Sequence, residues 1–109
     1  MRALAQLLKG NTDILILSLL DREPMYGYQM IKELERRSEG FFQLGEGTLY
    51  PALHRIERAG VIESRWQRLP SGQERRYYSL TRKGERWLEE RTSAWARFAS
   101  AVDLVVRPL

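Results

Sequence analysis

The alternation of apolar runs and polar residues in the first half of the chain predicts two helices. Residues 13–20, DILILSLL, are apolar on nearly every side and follow three plausible N-cap residues. We therefore expect a buried helix over about 12–21, ended before Pro24. Apolar side chains then recur on one face across residues 26–38, with charged ones elsewhere, which predicts an amphipathic helix stopped by Gly40.

A third helix is predicted within residues 45–60, GEGTLYPALHRIERAG. The apolar positions that recur at helical spacing, and should form its buried stripe, are Leu49, Leu53 and Ile56. Pro51 is compatible with a place in the first turn, where backbone N–H groups lack helical partners. Gly60 stands where a left-handed residue commonly ends a helix.

The periodicity changes from helical to extended after this helix. Residues 61–69, VIESRWQRL, and 75–80, RRYYSL, are rich in β-branched and aromatic residues, and the PSGQE segment between them favours a turn. This pattern predicts a two-stranded hairpin. Because an isolated hairpin is barely stable in water, it should rest on the helices, with Ile62 and Leu80 as contact residues.

The last segment predicts one long helix, from an N-cap at Thr81 to about Arg107, where Pro108 would end it. The side chains that follow the alternating spacing of a coiled-coil seam are Leu88, Arg91, Trp95, Phe98, Val102 and Val105. At 1.5 Å per residue such a helix is roughly 39 Å long, more than the rest of the chain can cover. We expect a second copy of the chain to pack against this seam; the alternative is a helix that folds back over its own domain.

Length and composition are those of one small globular domain: 109 residues, of which 43% are hydrophobic and 29% charged. No apolar run approaches the roughly 18 residues of a membrane span, and the apolar part of the leading MRALAQLLKG is short for a signal peptide. The absence of cysteine excludes disulfides and thiolate metal sites. A cytoplasmic protein is expected.

The positive charge is concentrated near the hairpin. The whole chain carries a formal charge of +4, whereas residues 65–83 hold six basic side chains against Glu74 alone, a local charge of +5. Such a stretch suits an anionic partner such as double-stranded DNA, although a solvated arginine-rich surface would have the same composition.

Three helices followed by a hairpin and a long helix is the element order of a winged helix-turn-helix protein. We therefore predict an α+β fold, mostly α. Residues 1–80 would form the DNA-binding domain and residues 81–109 the C-terminal dimerisation helix, joined as one compact unit. In this fold the third helix enters the major groove, and the hairpin, or wing, reaches the neighbouring groove or backbone.

The sides of the third helix that do not carry its apolar stripe offer chemistry suited to DNA. Arg55 and Arg58 can neutralise phosphates. Thr48 and Tyr50 can donate hydrogen bonds near the positive end of the helix, and His54 can meet a base edge. Two glycines leave the N-terminus bare, so that backbone N–H groups can approach a phosphate. The alternatives are that Tyr50 packs against the wing and that Arg58 pairs with a carboxylate.

Three segments together, MYGYQMIKELE, GTLYPALHRIERAGVI and RRYYSLTRKG, resemble the PadR family of bacterial transcriptional regulators. The resemblance covers about residues 10–91 and rests on Tyr-Gly-Tyr and Gly-Thr-Leu-Tyr-Pro, followed by Leu-x-Arg-Ile-Glu-x-x-Gly. It implies a homodimeric winged-helix repressor whose C-terminal helix builds the dimer, and whose DNA is released by a small molecule or a stress signal. The chain is similar to the short branch of the family, with a single C-terminal helix.

Carried over position by position, the resemblance implies three groups of DNA contacts. The contacts of the recognition helix are Thr48, Tyr50 and His54. The phosphate contacts at the start of the second helix are Tyr26 and Tyr28. The wing tip and its flanking arginines are Ser71, Gly72, Gln73, Arg68, Arg75 and Arg76. The tip has no Lys or Arg of its own, where a basic tip is common in the family, and this favours phosphate contact over insertion into the minor groove.

The same resemblance also implies where a ligand could bind. Some members of the family that sense aromatic drugs hold a flat ligand between tryptophans of the two C-terminal helices. Trp95, with Phe98 one turn on, lies in the middle of the predicted seam and could form such a pocket for a small aromatic effector. The alternative is that both rings only fill the dimer interface.

Other classes of function find little support in these residues. His54 is the single histidine, no serine or cysteine stands in a nucleophile turn, and GEG is followed by no phosphate-binding pattern. Neither an enzyme nor a cofactor is therefore expected, and the scattered carboxylates predict no metal site. The remaining alternative is a winged-helix module that binds a protein, which the basic stretch disfavours.

Overall fold

The computed structural model describes residues 11–107. Its helices and strands are, in order, α1 (Thr12–Leu20), β1 (Met25–Tyr26), α2 (Gly27–Arg37), α3 (Glu46–Arg58), β2 (Ile62–Arg68), β3 (Glu74–Leu80) and α4 (Arg82–Val106). This is the expected mostly helical α+β arrangement of a winged helix-turn-helix protein. The leading MRALAQLLKG segment and the helix stop expected at Pro108 lie outside the described residues.

The sheet has three strands where two were predicted, in the order β1-β3-β2 and antiparallel throughout. The additional strand is β1, in which Met25 pairs with Tyr78 and Tyr26 with Tyr77. The helical pattern predicted Tyr26 inside the second helix, but α2 begins at Gly27 and Tyr26 is its extended N-cap residue. A strand of two residues is too short for an alternating pattern to show in the sequence.

The hydrophobic core lies between the first three helices and the inner face of the sheet. The predicted stripe of α3 is confirmed, since Leu49, Leu53 and Ile56 are all buried. Ile62 is also buried and Leu80 packs against this core, so the hairpin rests on the helices as expected. Full burial of a leucine or isoleucine side chain contributes about 1.5–3 kcal/mol, and the stripe therefore fixes α3 in place.

The start of α3 differs from the prediction in one respect. Gly45 is the N-cap and Glu46 the first helical residue, so Pro51 lies in the second turn and not in the first. The missing N–H of Pro51 leaves the carbonyl of Gly47 without its usual helical partner. The helix tolerates this because Pro51 is on an exposed side, where water can reach the backbone.

The end of α3 is tied to the start of α4. Gly60 adopts the predicted left-handed conformation, with φ of 80°, directly after the C-cap residue Ala59. Thr81 is the predicted N-cap of α4: its hydroxyl accepts from Gly84 N–H at 3.1 Å and donates to the Gly60 carbonyl at 2.7 Å. The backbone N–H of Thr81 donates to the carbonyl of Val61 at 3.2 Å. The base of the wing is thus fixed where the two helices meet.

The first turns of α4 pack on the rest of the chain, and the later turns extend away from it. Leu88 belongs to the hydrophobic core, whereas Trp95, Phe98 and Val105 are 48%, 60% and 84% exposed. With 25 residues the helix is about 38 Å long, and the molecule measures 59 × 30 × 20 Å. The helix does not fold back over its own domain, and the apolar side of its later turns is exposed. None of the helices within residues 11–107 has the length and apolarity that crossing a membrane requires.

Candidate nucleic-acid interface

The N-terminus of α3 is open to solvent. Gly45 leads into the helix in an extended conformation with no side-chain cap, and Thr48 is exposed. A Cβ added at Gly45 or Gly47 would meet no atom within 4 Å. The first turn therefore lies in open space at the positive end of the helix dipole, where backbone N–H groups lack helical partners, an arrangement that suits a phosphate. The carboxylate of Glu46, exposed in the same turn, has to point away from such an anion.

Tyr50 is half-buried and packs against the core instead of projecting freely. Its hydroxyl lies so close to Gly27, the first residue of α2, that a Cβ on Gly27 would overlap it. Glycine at this position lets α2 and α3 approach each other. The Tyr50 ring therefore packs against α2, whereas the alternative placed it against the wing, and it also lines a groove beside the wing.

Three polar side chains of α3 point away from the core and have different surroundings. His54 is exposed and lines the groove beside the wing. Arg55 forms an ion pair with Asp13 of α1, so its charge is partly neutralised within the chain. Arg58 is exposed and has no ion-pair partner in the part of the chain that the structure describes. Arg58 is thus the more available of the two cations.

A groove of about 380 Å³ separates α3 from the wing. Its walls combine aromatic rings with arginines and comprise Tyr26, Gly27, Tyr50, His54, Trp66, Glu74, Arg75, Arg76 and Tyr78. Trp66, which no sequence motif singled out, is 63% exposed there. The alternation of β2 could have indicated it, because Trp66 follows Ile62 and Ser64 on the face that turns toward α3.

Two arginines of the wing, Arg68 and Arg75, differ in the contacts that hold their side chains. Arg68 is exposed near the tip, 3.6 Å from Glu74 on the opposite strand. Arg75 lies over the ring of Tyr26, with 4.3 Å between the guanidinium carbon and the ring centroid. Tyr26 also meets Tyr77 edge-on at 5.5 Å. The Tyr26 ring is therefore held within the chain, and Arg68 has the more exposed side chain of the two arginines, although it is ion-paired with Glu74.

The other residues that were predicted to contact DNA on α2 and at the wing tip are exposed to solvent. Tyr28 is 55% exposed on α2, with the Lys32 ammonium 5.4 Å from its ring centroid. The wing tip, formed by Ser71, Gly72 and Gln73, is exposed. Gly72 has φ of 91°, the left-handed conformation that this turn requires and that glycine adopts without strain.

Arg76 points inward, although it was expected to flank the wing tip as a phosphate contact. Its guanidinium lies 3.2 Å from the carboxylate of Glu57 on α3 and 2.9 Å from the hydroxyl of Ser64. Next to it, burial raises the pKa of Tyr78 above its ordinary value of 10, an effect that the charge of Arg76 partly opposes. Tyr78 is therefore neutral near pH 7.

The predicted seam of α4 divides into a covered part and an open part. Leu88, expected at the dimer interface, instead lies in the core of its own chain, because the first turns of α4 pack against α1. Arg91 lies over the ring of Trp87 at 3.9 Å. The open part, called here the apolar face of α4, consists of Trp95, Phe98, Val102 and Val105. The rings of Trp95 and Phe98 are neighbours on it, with centroids 5.9 Å apart.

Comparisons with known proteins agree with this geometry. The family model described as "Transcriptional regulator PadR-like family" matches residues 16–90. The crystal structure of a PadR-like transcriptional regulator from Bacillus cereus superposes with a TM-score of 0.83 at 31% identity, covering 95% of this chain and 99% of that one. An uncharacterised protein of Lysinibacillus sphaericus is 32% identical over 105 residues, 96% of either chain. The transcriptional regulator YqjI of Escherichia coli is 31% identical over 81 residues, which are 74% of this chain and 37% of that longer protein.

The family match begins within α1 and runs through α2, α3 and the wing into the start of α4. It places the protein among regulators of transcription and not among enzymes. The chain belongs to the PadR-like family of transcriptional regulators.

Proposed function

We propose that this regulator is a homodimeric repressor that binds a palindromic DNA operator with α3 in the major groove. The observation that carries the proposal is the open N-terminus of α3 beside a basic wing. Backbone N–H groups at this end offer phosphate contacts, and exposed polar side chains lie along the same helix. Duplex DNA, with phosphates on both sides of its major groove, is the partner that uses all these groups at once.

The proposed DNA contacts come from α3 and from the elements next to it. From α3 the proposed contacts are Thr48, His54, Arg58 and the hydroxyl of Tyr50. Outside α3 the proposed phosphate contacts are Tyr28, Arg68, Arg75, Ser71, Gly72 and Gln73. Three residues are engaged within the chain and are not proposed as direct contacts: Tyr26, Arg55 and Arg76.

A second copy of the chain is the proposed cover for the apolar face of α4. An exposed apolar strip of this kind is unfavourable in water and commonly marks an interface. A two-fold dimer through α4 would present two copies of α3 to successive turns of DNA, roughly 34–36 Å apart, and so favour a palindromic site. Residues 1–80 then act as the DNA-binding domain and residues 81–109 as the dimerisation helix of a cytoplasmic protein.

The rings of Trp95 and Phe98 provide a site for the signal that releases DNA. They are 48% and 60% exposed, and their planes are inclined by 32°. In the proposed dimer, the ring pairs of the two chains would hold a flat aromatic effector, since each stacked pair contributes roughly 0.5–1.5 kcal/mol beyond burial. An effector bound between the copies would change the spacing of the recognition helices and thereby weaken operator binding.

A titration of the protein against DNA from upstream of its own gene, at two salt concentrations, tests this function. We expect tight binding that outcompetes random DNA and weakens steeply with salt, with a slope near −0.9 per neutralised phosphate. Weak and equal binding to both DNAs would place the operator elsewhere. Negligible binding at both salt concentrations would contradict the proposal and favour a module that binds a protein.

Gly47→Ala is expected to weaken operator binding without weakening the fold. Alanine stabilises a helix relative to glycine by roughly 0.5–1 kcal/mol, and the added methyl group meets nothing within the protein. At the DNA the methyl group would hold a phosphate away from the helix N-terminus. We therefore expect operator binding to be about tenfold weaker, the effect of losing one charged hydrogen bond. A thermal melt and the operator titration measure both effects, and unchanged operator affinity would show that no phosphate lies at this end of α3.

A further inference from the structure

Three polar side chains link α3 to the wing: Glu57 on α3, Ser64 on β2 and Arg76 on β3. The Ser64 hydroxyl donates to Oε2 of Glu57 at 2.6 Å and accepts from Nε of Arg76 at 2.9 Å. Nη2 of Arg76 donates to both carboxylate oxygens of Glu57, at 3.2 and 3.4 Å. Each member of this trio is therefore bonded to the other two, and the hydroxyl acts both as donor and as acceptor.

The trio lies at the boundary between the fixed and the free parts of the wing. On the side of the base, Ile62 is buried in the core; on the side of the tip, Trp66 and Arg68 are exposed. The side chains of Glu57 and Arg76 are 26% and 37% exposed, so solvent screens their ion pair less than it screens a pair on the open surface. Within residues 11–107 the trio is the outermost hydrogen-bonded link between α3 and the wing.

We infer that the trio sets the position of the wing relative to the recognition helix, and that its members are positioning residues for the phosphate contacts of the wing. A two-stranded hairpin is marginal by itself, and the outer half of this one lacks buried apolar contacts that would hold it. An arginine that donates through two of its nitrogens is held in one plane. It therefore restrains the rotation of the wing as well as the distance between the wing and α3. The inference rests on the proposed DNA-binding function.

The charges around Arg76 favour this role over a direct phosphate contact. A phosphate would have to displace the carboxylate of Glu57, which already lies 3.2 Å from the guanidinium. Displacement would leave a partly buried carboxylate unpaired next to the negatively charged DNA, which is costly. Arg76 therefore reaches DNA through the wing residues whose position it fixes, foremost the exposed Arg68.

Ser64→Ala tests the inference without changing any charge. Its matched control is Ser79→Ala, because Ser79 is also half-buried in the same sheet but lies on the opposite face. Each variant is combined with Arg68→Ala, and operator affinity and its salt slope are measured. In the Ser79→Ala background, Arg68→Ala should weaken binding about tenfold and reduce the slope by about 0.9. In the Ser64→Ala background, Arg68→Ala should weaken operator binding only about threefold or less, because Arg68 is no longer held at its phosphate.

The ¹H–¹⁵N NOE values of the wing-tip amides of Gly72 and Gln73 report the order of the wing in the absence of DNA. They should decrease in Ser64→Ala and remain unchanged in Ser79→Ala. Equal effects of Arg68→Ala in both backgrounds, together with unchanged NOE values, would overturn the positioning role. If the wild-type protein shows no salt-dependent operator binding, the proposed function fails, and the NOE comparison still decides whether the trio fixes the wing.

Discussion

Phe98→Glu is expected to convert the proposed dimer into a folded monomer and to weaken operator binding about 100-fold or more. Two-fold symmetry places the substitution on both sides of the interface, so two carboxylates would be buried without partners. The fold itself should remain intact, because Phe98 is 60% exposed in the single chain and is not part of its core. A monomer binds each half-site separately and loses the gain of roughly 10²–10⁴ that linked binding provides.

Leu104→Glu is the matched control for this substitution. Leu104 is 83% exposed on the same helix, and at about 100° per residue it points away from the apolar face, so the same charge is added outside the proposed interface. This variant should remain dimeric and keep its operator affinity. Light scattering gives the mass of each variant, and an operator titration gives its affinity. A Phe98→Glu protein that stays dimeric with full affinity would show that the copies meet elsewhere.

The spacing along α4 predicted which side of the helix is apolar, but not where that side changes from core to surface. Leu88 and Phe98 belong to the same predicted seam, yet Leu88 is 8% exposed and Phe98 is 60% exposed. Periodicity identifies an apolar side, whereas the partner of that side depends on where α1 and the sheet end. Leu88 is consequently unsuitable as a test of the dimer, since a charge there would disrupt the core of each chain.

Features that depend on nearby residues could be predicted from the sequence, and links between distant residues could not. The cap at Thr81 follows from the spacing of neighbouring residues. In contrast, Arg55 pairs with Asp13, 42 residues away, and Arg76 pairs with Glu57, 19 residues away. No local pattern tells whether an arginine meets a carboxylate across the fold or stays free for a phosphate. The sequence therefore indicated a basic interface, but not which of its arginines are engaged within the chain.

Two aromatic residues illustrate the same limit within the candidate interface. Tyr26 was predicted as a phosphate contact at a helix start, but its ring packs between Tyr77 and Arg75 once β1 joins the sheet. Trp66 carried no motif; the alternation of β2 places it on the face of Ile62, but only the pairing of the strands shows that this face turns toward α3. Both outcomes depend on the register of the sheet, because a shift of one residue moves every side chain to the opposite face.

Gly84→Ala is expected to lower the free energy of unfolding by about 3 kcal/mol. Gly84 is buried in the first turn of α4, and an added Cβ would overlap the carbonyl oxygen of Val61, with a Leu80 methyl carbon 3.1 Å away. That oxygen cannot easily move aside, because it accepts the backbone N–H of Thr81 at 3.2 Å. The methyl group must therefore push α4 away from the base of the wing, which strains the packing of both.

Gly47→Ala is the matched control, since it makes the same substitution in the first turn of a helix but into open space. The two melting temperatures should shift in opposite directions, by about 4–8 °C per kcal/mol for a domain of this size. Both melts need the same protein concentration, because the stability of a dimer depends on it. If the melting temperature of Gly84→Ala equals that of the wild type, α4 can move relative to Val61 at little cost. The angle between α4 and the wing, and with it the spacing of the recognition helices in the proposed dimer, would then be adjustable and not fixed by the fold.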